Sequence, residues 1–251
     1  MTTARVIICL LAMWLGGGAA VAQCRQALAL ALDVSGSVDS REYRLQLDGL
    51  AAALLDPDVG YAILAQPGRP VHIAVYEWSG PQYQRLLLGW TEIVSGDTLE
   101  RVSAHLAGLQ RHPAPPGTAL GNAMEFGAAL LREGPQCRKR TLDISGDGKS
   151  NFGPHPRDIR NRLASQALTI NGLVIGADAP EIGNTRQVEI AELSAYYNAW
   201  VITGPDAFVE TAIGFEDYRM AMTRKLLREL DTLAVSSLGG GGMAQPRRQY
   251  Q

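Results

Sequence analysis

The chain has 251 residues, of which 46% are hydrophobic and 19% charged, and its formal net charge is −2. That is an ordinary globular composition, long enough for one medium-sized domain. The near-neutral balance, with no basic run longer than Arg138-Lys139-Arg140, excludes recruitment to nucleic acid by a positive field.

The N-terminus reads as a secretory signal peptide over residues 1–22. "MTTAR" supplies a positive charge, "VIICLLAMWL" an apolar core, and Ala20-Val21-Ala22 a small-x-small cleavage signal. The apolar stretch is short of the roughly 20 residues that a membrane span needs. No later segment is apolar enough to span a bilayer. Cleavage after Ala22 removes Cys9 and leaves Cys24 and Cys137, an even number, which in an exported protein suggests a disulfide.

The mature chain then alternates strands and helices. "QALALALDVS" is apolar on both faces, as a central parallel strand should be. Arg41 to Leu55 has helical spacing and stops before Pro57, with Asp39 and Glu42 placed to cap it. "VHIAVYEW" and "QYQRLLLGW", joined through "SGP", read as a hairpin flanked by Trp78 and Trp90. Helices are expected over Asp97–Leu109 and Leu120–Leu131, separated by the Pro-rich "RHPAPPG".

The strand "RTLDIS" follows, then a helix over Asp158–Gln166, the strand "ALTINGLVIG" and a short helix over Gln187–Leu193. "AWVIT" reads as a sixth strand, and Phe208 to Leu233 as a long final helix. Residues 236–251 are Gly-rich and polar, and are expected to be disordered. The pattern predicts one α/β domain over residues 23–235. It is a doubly wound, mostly parallel six-stranded sheet with one antiparallel edge strand and helices on both faces.

The stretch "TLDISGDGKSN", residues 141–151, carries two false leads. A phosphate loop needs Gly where Asp143 stands, and the carboxylate would repel phosphate. A calcium loop opening at Asp143 needs a closing Glu where Pro154 stands. What remains is Asp147 at the end of a strand, in need of partners from elsewhere. Asp33, Ser35 and Ser37 supply oxygen atoms after the first strand, and Thr118 opens a helix after the Pro-rich loop. Open α/β sheets bind ligands at the carboxyl ends of their strands.

This ordered set, Asp33-x-Ser35-x-Ser37, then Thr118, then Asp147, resembles the metal-ion-dependent adhesion site of the von Willebrand factor A, or integrin I-type, domain. The likeness extends over the mature domain, hairpin included, and points to an uncharacterised group of exported bacterial proteins. It implies that Ser35, Ser37 and Thr118 touch a divalent cation, with Asp33 and Asp147 acting mainly through water. Hard oxygen donors suit Mg²⁺, with Mn²⁺ or Ca²⁺ as substitutes. A coordination position would remain for an acidic group of a protein partner.

The resemblance thus implies an exported adhesion or assembly module. The alternative is a metal-dependent hydrolase of the cell envelope, which requires a general base near the ion. The four histidines show no ligand spacing, and Ser150 lacks the flanking Gly of a nucleophile elbow. Finally, in the doubly wound order 3-2-1-4-5-6, strands one and four are neighbours, so Cys24 and Cys137, each just before one of them, come within bridging distance. Closing so long a loop stabilises by about 4 to 5 kcal/mol in the chain-entropy model.

Overall fold

The computed structural model describes residues 24–176 and 185–231. The proposed signal peptide and Gly-rich tail lie outside the described residues.

Six strands form one sheet in the order β3-β2-β1-β4-β5-β6. They are β1 (Gln26–Asp33), β2 (Val71–Trp78), β3 (Gln84–Ile93), β4 (Lys139–Gly146), β5 (Thr169–Ile175) and β6 (Val209–Ala212). Only β3 runs antiparallel, against β2. Seven helices flank the sheet among the described residues: α1 (Ser40–Leu54), α2 (Pro57–Leu64), α3 (Gly96–Gly108), α4 (Leu120–Glu133), α5 (Pro156–Leu163), α6 (Thr185–Trp200) and α7 (Tyr218–Asp231).

The central strand shows how sequence sets the layers. In β1 the side chains alternate between faces. Leu28, Leu30 and Leu32 join the core formed with α1, α2, α3 and α7, while Ala27, Ala29 and Ala31 join the core formed with α4, α5 and α6. Each fully buried leucine contributes roughly 1.5 to 3 kcal/mol. The alanine face leaves room for α4 to lie close. A Cβ on Gly127 of α4 would meet Leu142 Cδ1 at 2.5 Å and Tyr76 Oη at 2.6 Å.

Helix α1 starts with a capping box: the Asp39 side chain accepts from the N–H groups of Arg41 and Glu42, and Glu42 accepts from the Asp39 N–H. Trp78 is fully buried, and Trp90 donates to the Leu130 carbonyl.

Three elements differ from the sequence expectation. Helix α2 was not anticipated, although Asp56 caps it and Pro57 opens it. "AWVIT" is not a strand. Helix α6 extends to Trp200, and beyond it Thr203 makes only an isolated bridge with Ile170. The sixth strand instead lies at Val209–Ala212, inside the expected long helix, pairing with Gly172–Ile175 of β5. Its Val209 and Thr211 suit a strand, and Gly214, with extended φ of −168°, separates it from the 3-10 turn that leads into α7.

Cys24 and Cys137 form a disulfide with Cα atoms 4.7 Å apart, at the amino ends of β1 and β4. The two strands are parallel neighbours, so the bridge staples the sheet edge opposite the carboxyl ends.

Candidate functional site

The carboxyl ends of β1 and β4 bring two carboxylates together. Asp33 ends β1 and is fully buried. Its Oδ1 accepts from the Ser35 N–H at 2.8 Å, which curls the chain so that the Ser35 and Ser37 hydroxyls lie 3.3 Å apart. Ser37 Oγ then donates to Asp147 Oδ1, in the loop after β4, at 2.8 Å. One hydrogen-bonded chain thus links four of the five sequence-selected residues across two strands.

Thr118 comes from a third segment, just before α4. Its N–H donates to Asn151 Oδ1 at 2.8 Å, and its carbonyl accepts from the Asn151 N–H and the Ser150 hydroxyl. This locks the Thr118 segment to the loop after Asp147. A Cβ on Gly148 would lie 4.0 Å from Thr118 Cγ2. The Asp33–Ser37 turn is held to the same segment, because the Gly36 N–H donates to the Pro116 carbonyl at 3.0 Å. Gly36 is needed there, since a Cβ would meet Pro116 Cβ at 2.9 Å.

The electrostatics are unfavourable for both carboxylates. Burial, aided by the nearby Asp147 charge, pushes the Asp33 carboxyl up to about 8. Burial raises Asp147 as well, opposed by the Ser37 hydrogen bond. Asp33 Oδ2 is buried and has no hydrogen-bond partner. Among the described residues no basic side chain forms an ion pair with either group.

Two contributors escaped the sequence reading. Asn151 positions Thr118, and its closeness to Asp147 in the chain was the available signal. Tyr197 of α6 lies beneath the site, its buried hydroxyl without a partner. Burial and the charges of Asp33 and Asp147 push that phenol far above its usual value. A Cβ on Gly146 would meet Tyr197 Oη at 2.5 Å and Asp33 Oδ2 at 3.1 Å, so only Gly fits between them. No local pattern announces Tyr197. Beside Asp147 opens a cleft of about 230 Å³, lined by Lys149, Ile175, Glu189, Glu192 and Leu193 among others.

Three of the histidines serve elsewhere. His105 bonds the Leu87 carbonyl, His155 caps α5, and His72 lies on β2 beside the disulfide. Among the described residues no helix is long and apolar enough to cross a membrane.

Comparison with known proteins fits this architecture. No curated protein matches the sequence. Among solved structures, proximal thread matrix protein 1 from the mussel byssus is 15% identical over 84% of this chain, with a TM-score of 0.55. Another structure of that mussel protein, 13% identical over 84% of this chain and at the same TM-score of 0.55, has a zinc-occupied MIDAS motif. The pilus adhesin SpaC from Lactobacillus rhamnosus GG is 11% identical over 83%, also at a TM-score of 0.55. A von Willebrand factor type A protein from Catenulispora acidiphila is 14% identical over 82%, at 0.53. The chain spans 49%, 47%, 30% and 43% of these four structures, so the likeness is one of fold. A family model described as "Protein of unknown function (DUF1194)" matches residues 23–234. The chain therefore belongs to the DUF1194 family and has the fold of the von Willebrand factor A domain.

Proposed function

We propose that this chain is an exported, metal-dependent protein-binding module, with residues 23–235 as its domain. In this reading Asp33, Ser35, Ser37, Thr118 and Asp147 hold one divalent cation, Mg²⁺ being the expected ion. The observation that carries the reading is the meeting of two carboxylates and two hydroxyls, at the ends of β1 and β4, with no basic partner among the described residues. The donors are all hard oxygens, which suits Mg²⁺, Mn²⁺ or Ca²⁺. A dication would offset the charge that raises Asp33 and would give its unpartnered buried oxygen an electrostatic partner.

The bound ion would supply a coordination position for an acidic group of a protein partner. The chain's own residues would do the rest. Asn151 holds the Thr118 segment, and the Asp33–Ser35 turn aims the two hydroxyls. The cleft beside Asp147 offers the partner an adjoining surface. The disulfide and the signal-like N-terminus support export to the periplasm or cell exterior.

Titration calorimetry of the metal-free mature protein tests the ion. A single site for Mg²⁺, Mn²⁺ or Ca²⁺ is expected, and absence of binding by all three overturns the reading. Capture of an envelope partner should be lost on chelation and in Asp147→Ala. Capture unaffected by either would place binding on another surface.

A further inference from the structure

The opposite edge of the sheet carries a second set of donors. Cys24 precedes β1, Cys137 precedes β4, and His72 is the second residue of β2. Because β1 lies between β2 and β4, these three segments begin side by side. A ligand atom from each residue lies within 4.8 Å of the other two. His72 Nδ1 is buried and has no hydrogen-bond partner. Cys24 is buried and Cys137 only partly covered.

We propose that reduction of the Cys24–Cys137 bridge creates a binding site for a thiophilic cation, with Zn²⁺ the expected ion, formed by Cys24, Cys137 and His72. The reductant is a dithiol or a phosphine. It delivers two electrons, the S–S bond breaks, and each sulfur takes up a proton. The dithiol leaves as its own disulfide, or the phosphine as its oxide with oxygen from water. Metal binding then releases the two thiol protons, since thiolate is the ligand. Two thiolates and a neutral imidazole form a soft donor set suited to zinc. Zinc in tetrahedral geometry holds two sulfurs about 3.8 Å apart, from its Zn–S length of about 2.3 Å. Cysteines with Cα atoms 4.7 Å apart are compatible with that separation. The ion would tie together the same two segments that the disulfide ties. The domain would therefore keep its staple, covalent or metallic, in either redox condition, and the soft site would be chemically distinct from the oxygen-lined edge.

Cobalt titration of the full mature chain tests this, with excess Mg²⁺ present. The protein is compared before and after reduction by a phosphine, and folding is followed by far-UV circular dichroism. The reduced chain should show a thiolate-to-cobalt charge-transfer band saturating at one equivalent and displaced by Zn²⁺, and the oxidised chain no such band. Zn²⁺ should raise the melting temperature of the reduced chain or, if reduction unfolds it, restore its structure. His72→Ala, first shown to fold in the oxidised form, should bind at least about tenfold more weakly, since even outer-shell losses cost that much. Absence of the band in the reduced chain, equal affinity in His72→Ala, or no zinc-dependent gain in structure or stability would each overturn the proposal.

Discussion

Asp143 and Asp147 stand four residues apart in the chain yet meet opposite surroundings. Asp143 lies within β4, under α7, and Lys225 of that helix places its Nζ 2.9 Å from it. The same ammonium lies 2.8 Å from Glu229, which also accepts from Asn171 at 2.6 Å. Burial alone would lower the Lys225 pKa, but Asp143 and Glu229 more than offset this and raise it. Asp147, just past the strand end, lies near the Asp33 carboxyl instead, and among the described residues no basic side chain forms an ion pair with it. An interior carboxylate with a lysine from its own chain is part of the scaffold. A pair of carboxylates at the sheet edge, held by hydroxyl and amide donors, suits an imported cation.

The largest way to break this contrast is Lys225→Met. It removes the ammonium that the buried Asp143 and Glu229 carboxylates share, and removing one partner of a buried pair costs about 3 to 5 kcal/mol. The melting temperature should fall by about 10 °C for a domain of this size. A fall of a degree or less in thermal denaturation would mean that the cluster is not a charged one.

The next effect belongs to the other region. Mg²⁺ at a hundred times its dissociation constant should stabilise the wild-type protein by about 2.7 kcal/mol. Asp147→Asn should abolish that gain and Lys225→Met should keep it, as read by melting with Mg²⁺ or with chelator. A response that survives Asp147→Asn would detach the ion from this edge.

The comparison sharpens further with pH. The Asp33 carboxyl sits at about 8 in the folded, metal-free protein, above an unfolded value of about 3.9. Its contribution is fully present below the unfolded value. It is lost as pH rises through the window between the two values, by up to about 1.4 kcal/mol per pH unit. Metal-free stability should therefore decline from about pH 4 to about pH 8 through this group. Mg²⁺ should cancel the decline, and its affinity should grow up to about pH 8 as the competing proton leaves. Melting curves across that range, with and without Mg²⁺, check both signs. Parallel curves would contradict the assignment.

The smallest effect is the most diagnostic. Asp33→Asn removes a charge that the metal-free fold disfavours, so melting in chelator should be unchanged or slightly higher. Asp143→Asn should lower it, because the buried Lys225 ammonium loses one of its two carboxylate partners. Equal losses from the two substitutions would erase the distinction between scaffold and site.

Much of this molecule is written in local patterns. Alternating leucine and alanine in β1, the Asp39–Glu42 capping box and the strand-helix alternation need only the geometry of one element at a time. The ordered Asp33, Ser35, Ser37, Thr118 and Asp147 could be proposed as a set because they resemble the ordered site of a known fold, and the structure brings their segments together at the strand ends. The Cys24–Cys137 pairing followed from strand order. The failures mark where local information ends. Phe208, Ala212 and Phe215 have helical spacing, yet Val209–Ala212 is a strand because the edge of β5 offers it backbone partners. "AWVIT" looks like a strand, but its first two residues complete α6 and only Thr203 pairs with the sheet.

The sequence by itself determined most of the elements around the site, the residues able to offer oxygen to a cation, and two cysteines placed to pair. The tertiary structure alone decided which carboxylate acquires a cation from within. That choice depends on α7 laying Lys225 against β4, and on α6 setting an unpartnered tyrosine hydroxyl beneath Asp33. Electrostatic energy depends on distance and on access to water, and both are set by how helices distant in the chain pack against the sheet.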